Sequence, residues 1–124
     1  MKPARSLAGK RILILEDDFY LAREAATVLA QAGAAVVGPF GTAFRPGDLA
    51  GLTAVDGAVV DINLGRGPAF DVACLLTERG VPFLFVTGYD AAIIPADLAH
   101  VERLEKPIRP AELVAAVLRL APAT

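Results

Sequence analysis

The feature that most constrains this chain is a set of short, continuously apolar runs that recur along it, separated by segments of helical or loop character. The runs are Arg11–Leu15, Ala35–Gly38, Ala58–Asp61, Pro82–Thr87 and Val101–Glu105. They return about every 20–25 residues, the spacing expected of βα units. Runs that stay apolar, rather than alternating with polar residues, predict strands buried on both faces. That in turn predicts a parallel sheet with helices packed on each side.

The intervening segments agree with that architecture. Phe19–Ala32 places Leu21, Ala25, Val28, Leu29 and Ala32 at helical spacing, and Gly33 stands where a left-handed residue ends a helix. Pro39 ends the second run. Gly41–Asp56 carries Gly41, Pro46, Gly47 and Gly51, which predicts only a short, poor helix around Asp48–Leu52. Gly65–Pro68 is a loop, and Arg66 within it is a solvated loop residue or a partner contact. Ala69–Arg79 is expected to be helical, with Pro68 near its first turn, Gly80 beyond its end and Cys74 on its buried face. Pro95 breaks any long helix in Gly88–Ala99. Pro110–Leu120 forms a last helix, with Pro110 in its first position and Glu112 favourable in its first turn.

Composition excludes several function classes. A chain of 124 residues makes one domain with a real core, and 55% hydrophobic content excludes a disordered chain. The net charge is −2 and no Lys/Arg stripe appears, so nucleic-acid binding has no electrostatic support. No apolar stretch reaches the roughly 20 residues of a membrane span. The basic residues of Met1–Lys10 are not followed by an uninterrupted apolar segment, because Glu16–Asp18 cuts the first hydrophobic run, so no secretory signal is read. One cysteine, Cys74, and one histidine, His100, form neither a disulfide nor a zinc cluster, and both read as structural. The expectation is a cytoplasmic α/β domain with its core at about residues 10–121. The last helix runs almost to the C-terminus, so no output domain is expected.

Right-handed crossovers bring the C-terminal ends of all the strands to one edge, where open parallel sheets bind ligands. Four of the runs end there in groups suited to phosphate chemistry: Glu16, Asp17 and Asp18 after the first, Asp61, Thr87 and Lys106 after the others. Glu16, Asp17 and Asp61 repel one another unless a cation lies among them. Their hard oxygens select Mg²⁺ (or Mn²⁺) over zinc. A carboxylate then serves as nucleophile toward phosphorus, with the metal, the Lys106 ammonium and the Thr87 hydroxyl neutralising the phosphoryl oxygens. Asp61, the single carboxylate ending the central run, is assigned that role. Glu16 and Asp17 are the pair better suited to a metal, and Asp18 is the helix cap.

The set ILILEDD, VVDIN, FVTGY and EKP, in this order and covering Arg11 to Leu120, resembles the receiver domains of two-component response regulators. The resemblance implies a flavodoxin-like (βα)5 fold: a three-layer, doubly wound, five-stranded parallel sheet in the order 2-1-3-4-5. It implies a phosphoacceptor at Asp61, metal binding by Asp17, Asp61 and the backbone carbonyl of Asn63, with Glu16 acting through water. It also implies a conserved hydroxyl at Thr87 and a phosphate-binding lysine at Lys106, whose bond to Pro107 is usually cis. PFLFVTGY at 82–89 resembles the P-F-x-F-A-T-G-Y signature of a single-domain subgroup, with Val86 replacing its Ala.

The implied protein is a stand-alone phosphorelay component, a monomer or weak homodimer. It would take phosphate from a histidine kinase or histidine phosphotransferase and catalyse only its own phosphorylation and dephosphorylation. Its output would be a protein contact or the draining of phosphate from a shared kinase. Receivers commonly carry an aromatic residue three positions before the lysine, and here that position is Arg103. A guanidinium is too costly to bury unpaired. The switch is therefore expected to run through Thr87 and Tyr89 into Gly88–Ala99, a segment expected to be mobile or only partly helical without phosphate. Competing readings are a receiver-like interaction module that is never phosphorylated, and a flavodoxin-like cofactor binder or small phosphatase. The acids after the first run disfavour a flavin, because they repel its phosphate.

Overall fold

A computed structural model describes residues 7–41, 44–52, 54–62, 70–88 and 94–121. Strands β1 (Arg11–Leu15), β2 (Ala35–Phe40), β3 (Gly57–Asp61), β4 (Phe83–Thr87) and β5 (Arg103–Glu105) alternate with helices α1 (Phe19–Gln31), α2 (Phe70–Glu78) and α3 (Pro110–Leu120). Short 3₁₀ turns occupy Pro46–Gly51 and Ala96–Leu98. All strand pairs are parallel, in one sheet ordered β2-β1-β3-β4-β5. This is the expected doubly wound order.

Alternation along the strands divides the core into two layers. Leu13, Leu15, Val60, Phe83 and Phe85 face Val72, Ala73 and Leu76 of α2, with Leu49 and Leu98 beside them. Ile12, Ile14, Val59, Leu84, Val86 and Leu104 face Leu29 of α1 and Leu113, Ala116 and Val117 of α3. Both β3 and β4 are buried along their whole length, which is why their sequences show no polar alternation. Leu7, ahead of β1, is fully buried in the second layer, and its N–H donates to Ala32 O at 3.1 Å.

Several boundaries and one orientation differ from the sequence reading. β2 does not stop before Pro39 but continues through it to Phe40, with a register shift between Leu13 and Leu15. An edge strand tolerates a proline because the missing donor faces no partner, and the shift re-aims the chain beyond it. The poor helix at 48–52 is a 3₁₀ turn over Pro46–Gly51, held at its start by Asp48, whose carboxylate accepts from Arg45 N at 2.9 Å. β5 is shorter than Val101–Glu105, although Val101 is still buried. Cys74 is exposed rather than buried. The buried stripe of α2 is Val72, Ala73 and Leu76, and Cys74 falls one position off it. Gly33 and Gly80 end their helices at φ of 104° and 70°, as expected of glycines there.

Candidate phosphoacceptor site

The site is assembled by strand ends. β3 delivers Asp61 as its last residue and β4 delivers Thr87 as its last, each 5% exposed. Lys106 follows β5, fixed by its own backbone N–H, which donates to Thr87 O at 2.8 Å. Its bond to Pro107 is cis. Glu16 follows β1, where its N–H donates to Phe40 O at 2.9 Å.

The side chains converge on Lys106. Its Nζ lies 3.1 Å from Asp61 Oδ2 and 3.3 Å from Glu16 Oε1. The two carboxylates are almost fully covered, with side chains 7% and 9% exposed, whereas Lys106 retains 25%. Glu16 and Lys106 also line a cavity of about 80 Å³, walled mainly by apolar residues that include Ile14, Val59, Val86, Ile108 and Leu113. Two carboxylates and one ammonium on an apolar floor leave an excess negative charge. Glu16 carries the consequence: burial, then its hydrogen bond and Coulomb repulsion with Asp61, push its carboxyl up to about 7 against the pull of the Asp18 N–H and Lys106. For Lys106, burial works against the charge, but Asp61 and Glu16 outweigh it and hold the ammonium above its ordinary range. Among the described residues the Thr87 hydroxyl makes no hydrogen bond although it is buried, and it stands at the same strand edge.

The cap expected at Asp18 is present. Asp18 caps α1, its Oδ1 accepting from Leu21 N at 3.0 Å. Asp17 is exposed, and its Oδ1 lies beside Gly41 at the end of β2. The structure joins Glu16 to Asp61, but among the described residues no three acidic, histidine or cysteine side chains gather into a group able to hold a metal ion. Asn63, Tyr89 and Arg66 lie outside the described residues, as do residues 89–93 of the segment expected to act as the switch. Of the part described, Ala96–Leu98 forms a 3₁₀ turn with Leu98 buried. Arg103 is exposed on β5, as its charge requires. His100 is exposed too.

No protein-family model matches the chain, and no curated protein matches it. Solved structures do. A response regulator receiver protein from Sinorhizobium medicae is 28% identical, with a TM-score of 0.78, over 95% of this chain and 98% of its own. The non-phosphorylated HemR receiver domain from Leptospira biflexa is 27% identical over 93% of this chain and 96% of its own, at a TM-score of 0.72. The chain is a response-regulator receiver domain. SdrG from Pseudomonas melonis, in its BeF3-activated conformation, is 30% identical to this receiver over 90% of the receiver and 98% of SdrG, at a TM-score of 0.72.

Sequence reasoning missed one part of the site. Ending β2 at Gly38 leaves Phe40 and Gly41 outside the strand-end residues, yet they lie against the acidic turn.

Proposed function

We propose that this receiver is a stand-alone phosphorelay component that accepts a phosphoryl group on Asp61 from a histidine kinase or histidine phosphotransferase. The observation that carries the reading is a nearly buried Asp61 carboxylate at the C-terminal end of the central strand, paired at 3.1 Å with Lys106 and flanked by Thr87.

The chemistry follows from these groups. An Asp61 carboxylate oxygen attacks phosphorus, the P–N bond of the donor phosphohistidine breaks, and its electron pair returns to the imidazole, leaving an acyl phosphate on Asp61. The Lys106 ammonium, already beside Asp61 Oδ2, offers charge to the phosphoryl oxygens, and the Thr87 hydroxyl is available to donate to one of them. The donor set is hard oxygen, and the excess negative charge expressed in Glu16 favours a divalent cation. Asp17, Asp61 and the Asn63 carbonyl would hold Mg²⁺ (or Mn²⁺), with Glu16 acting through water. When bound, the ion supplies Lewis-acid neutralisation of the phosphoryl oxygens.

Phe19 and Tyr20 are 62% and 79% exposed on the first turn of α1, giving a partner apolar surface beside the acids. The likeness to SdrG, solved in a BeF3-activated conformation, supports a phosphorylatable site. No described helix is long and apolar enough to cross a membrane. With Arg103 on the surface, the signal would leave through Thr87 and Tyr89, toward a protein partner or as a drain on a shared kinase.

The direct test is labelling by acetyl phosphate. Wild-type protein should label in Mg²⁺ and stop in EDTA, and Asp61→Asn should not label at all, because an amide is neither charged nor a competent nucleophile. Equal labelling of Asp61→Asn defeats the assignment.

A further inference from the structure

The edge strand β2 reaches the site without contributing a functional group. Leu15 pairs with Phe40, and Glu16 N donates to Phe40 O at 2.9 Å, which brings Gly41 alongside the acidic turn. The Phe40 ring packs against Phe44, centroids 5.1 Å apart, and Phe44 N donates to Gly41 O at 3.1 Å, so the glycine is held from both sides. A Cβ at position 41 would lie 3.3 Å from Asp17 Oδ1, and 3.8 Å from both Asp17 Cα and Glu16 O. The first distance is tight enough that something must give. The backbone there is not left-handed, so nothing in the conformation itself demands glycine. What a side chain there would meet is the neighbouring carboxylate.

We propose that Gly41 is a positioning residue for Asp17: the missing side chain leaves the space that the Asp17 carboxylate occupies, and so sets where that carboxylate would stand as a metal ligand. This rests on the metal reading given above. Asp17 is exposed, so a methyl group at 41 displaces its carboxylate by tenths of an ångström and leaves the core untouched. Groups that orient metal ligands from outside the coordination sphere typically change affinity tenfold or more. The smaller displacement here is expected to raise the Mg²⁺ dissociation constant about three- to tenfold for Gly41→Ala, and further for Gly41→Val.

The experiment is a Mg²⁺ titration followed by NMR, with thermal melting in EDTA measured alongside. Gly47 supplies the control, since a Cβ there meets nothing within 4 Å. Gly41→Ala should weaken Mg²⁺ binding, Gly47→Ala should not, and the two should melt alike in EDTA. In the Asp17→Asn background, Gly41→Ala should cost no further affinity, because the carboxylate it acts on is gone. Wild-type affinity in Gly41→Ala overturns the inference, as does a loss that persists undiminished in the Asp17→Asn background. If Asp17→Asn itself binds Mg²⁺ like the wild type, it is the metal reading that has failed.

Discussion

The two edge strands serve the site in opposite ways. β5 is only three residues long, with a single buried side chain, yet the residue after it is the cation that both buried carboxylates share. β2 is twice as long, passes through a proline and a register shift, and is followed, beside Asp17, by a residue with no side chain. One edge contributes a charge and the other contributes room. A charge after an apolar run is visible in a sequence, whereas room is visible only once the neighbours are in place.

The comparison can be broken most easily at the β5 edge. Lys106→Met should slow acetyl-phosphate labelling about a hundredfold, the scale seen when one charge-stabilising donor is removed from a reacting centre. It should also push the Glu16 carboxyl higher still, since Lys106 is one of the groups holding it down. An NMR titration of the Glu16 carboxyl carbon reads that shift. Labelling at the wild-type rate would mean that Lys106 is only a structural counter-charge.

Between the two edges, Glu16 reports the strain of the site as a dependence on pH. Its folded pKa of about 7 is raised above the ordinary 4.5, so the folded state holds an extra proton between those values. The associated stability is fully present below about 4.5 and is lost as pH rises through 7. By linkage it amounts to at most about 3 kcal/mol, less to the extent that Asp61 shares the proton. Melting in EDTA from pH 4.5 to 8 should show this decline, Glu16→Gln should flatten it, and Mg²⁺ should reverse it. A slope that is the same in wild type and Glu16→Gln would contradict the electrostatic account.

At the β2 edge the effect should be smaller and structural. Gly38 has a φ of 100°, and a Cβ there would lie 2.9 Å from Phe40 N and 3.1 Å from Ile14 O. Gly38→Ala should cost about 2 kcal/mol in denaturant unfolding, from the left-handed conformation and the backbone contacts together. It should also weaken Mg²⁺ binding by shifting Phe40 and Gly41. Destabilisation without any loss of Mg²⁺ affinity would uncouple the strand from the site.

The sequence made legible what depends on pattern. Fully apolar strands, helix-period segments and glycines beyond helix ends led to the parallel sheet and the positions of Asp61, Thr87 and Lys106, while the strand order came from the receiver resemblance. The cap at Asp18 was legible because a local hydrogen bond needs only its neighbours. What depends on tertiary context was not. Pro39 reads as a strand end because a proline removes a ladder donor, and only its place at the sheet edge makes it harmless. Cys74 reads as core because it lies in an apolar helix, and one position of helical phase puts it outside. Gly41 does not read as a site residue because its contribution is a distance to another residue rather than a functional group.

The most direct test of the central claim is to trap the phosphorylated residue chemically. Receiver exposed to acetyl phosphate with Mg²⁺ and then reduced with borohydride should carry homoserine at position 61, read by peptide mass spectrometry, and should carry none when EDTA replaces Mg²⁺. Unmodified aspartate at position 61, together with modification at Glu16, Asp17 or any other residue, would contradict the assignment of Asp61 as phosphoacceptor.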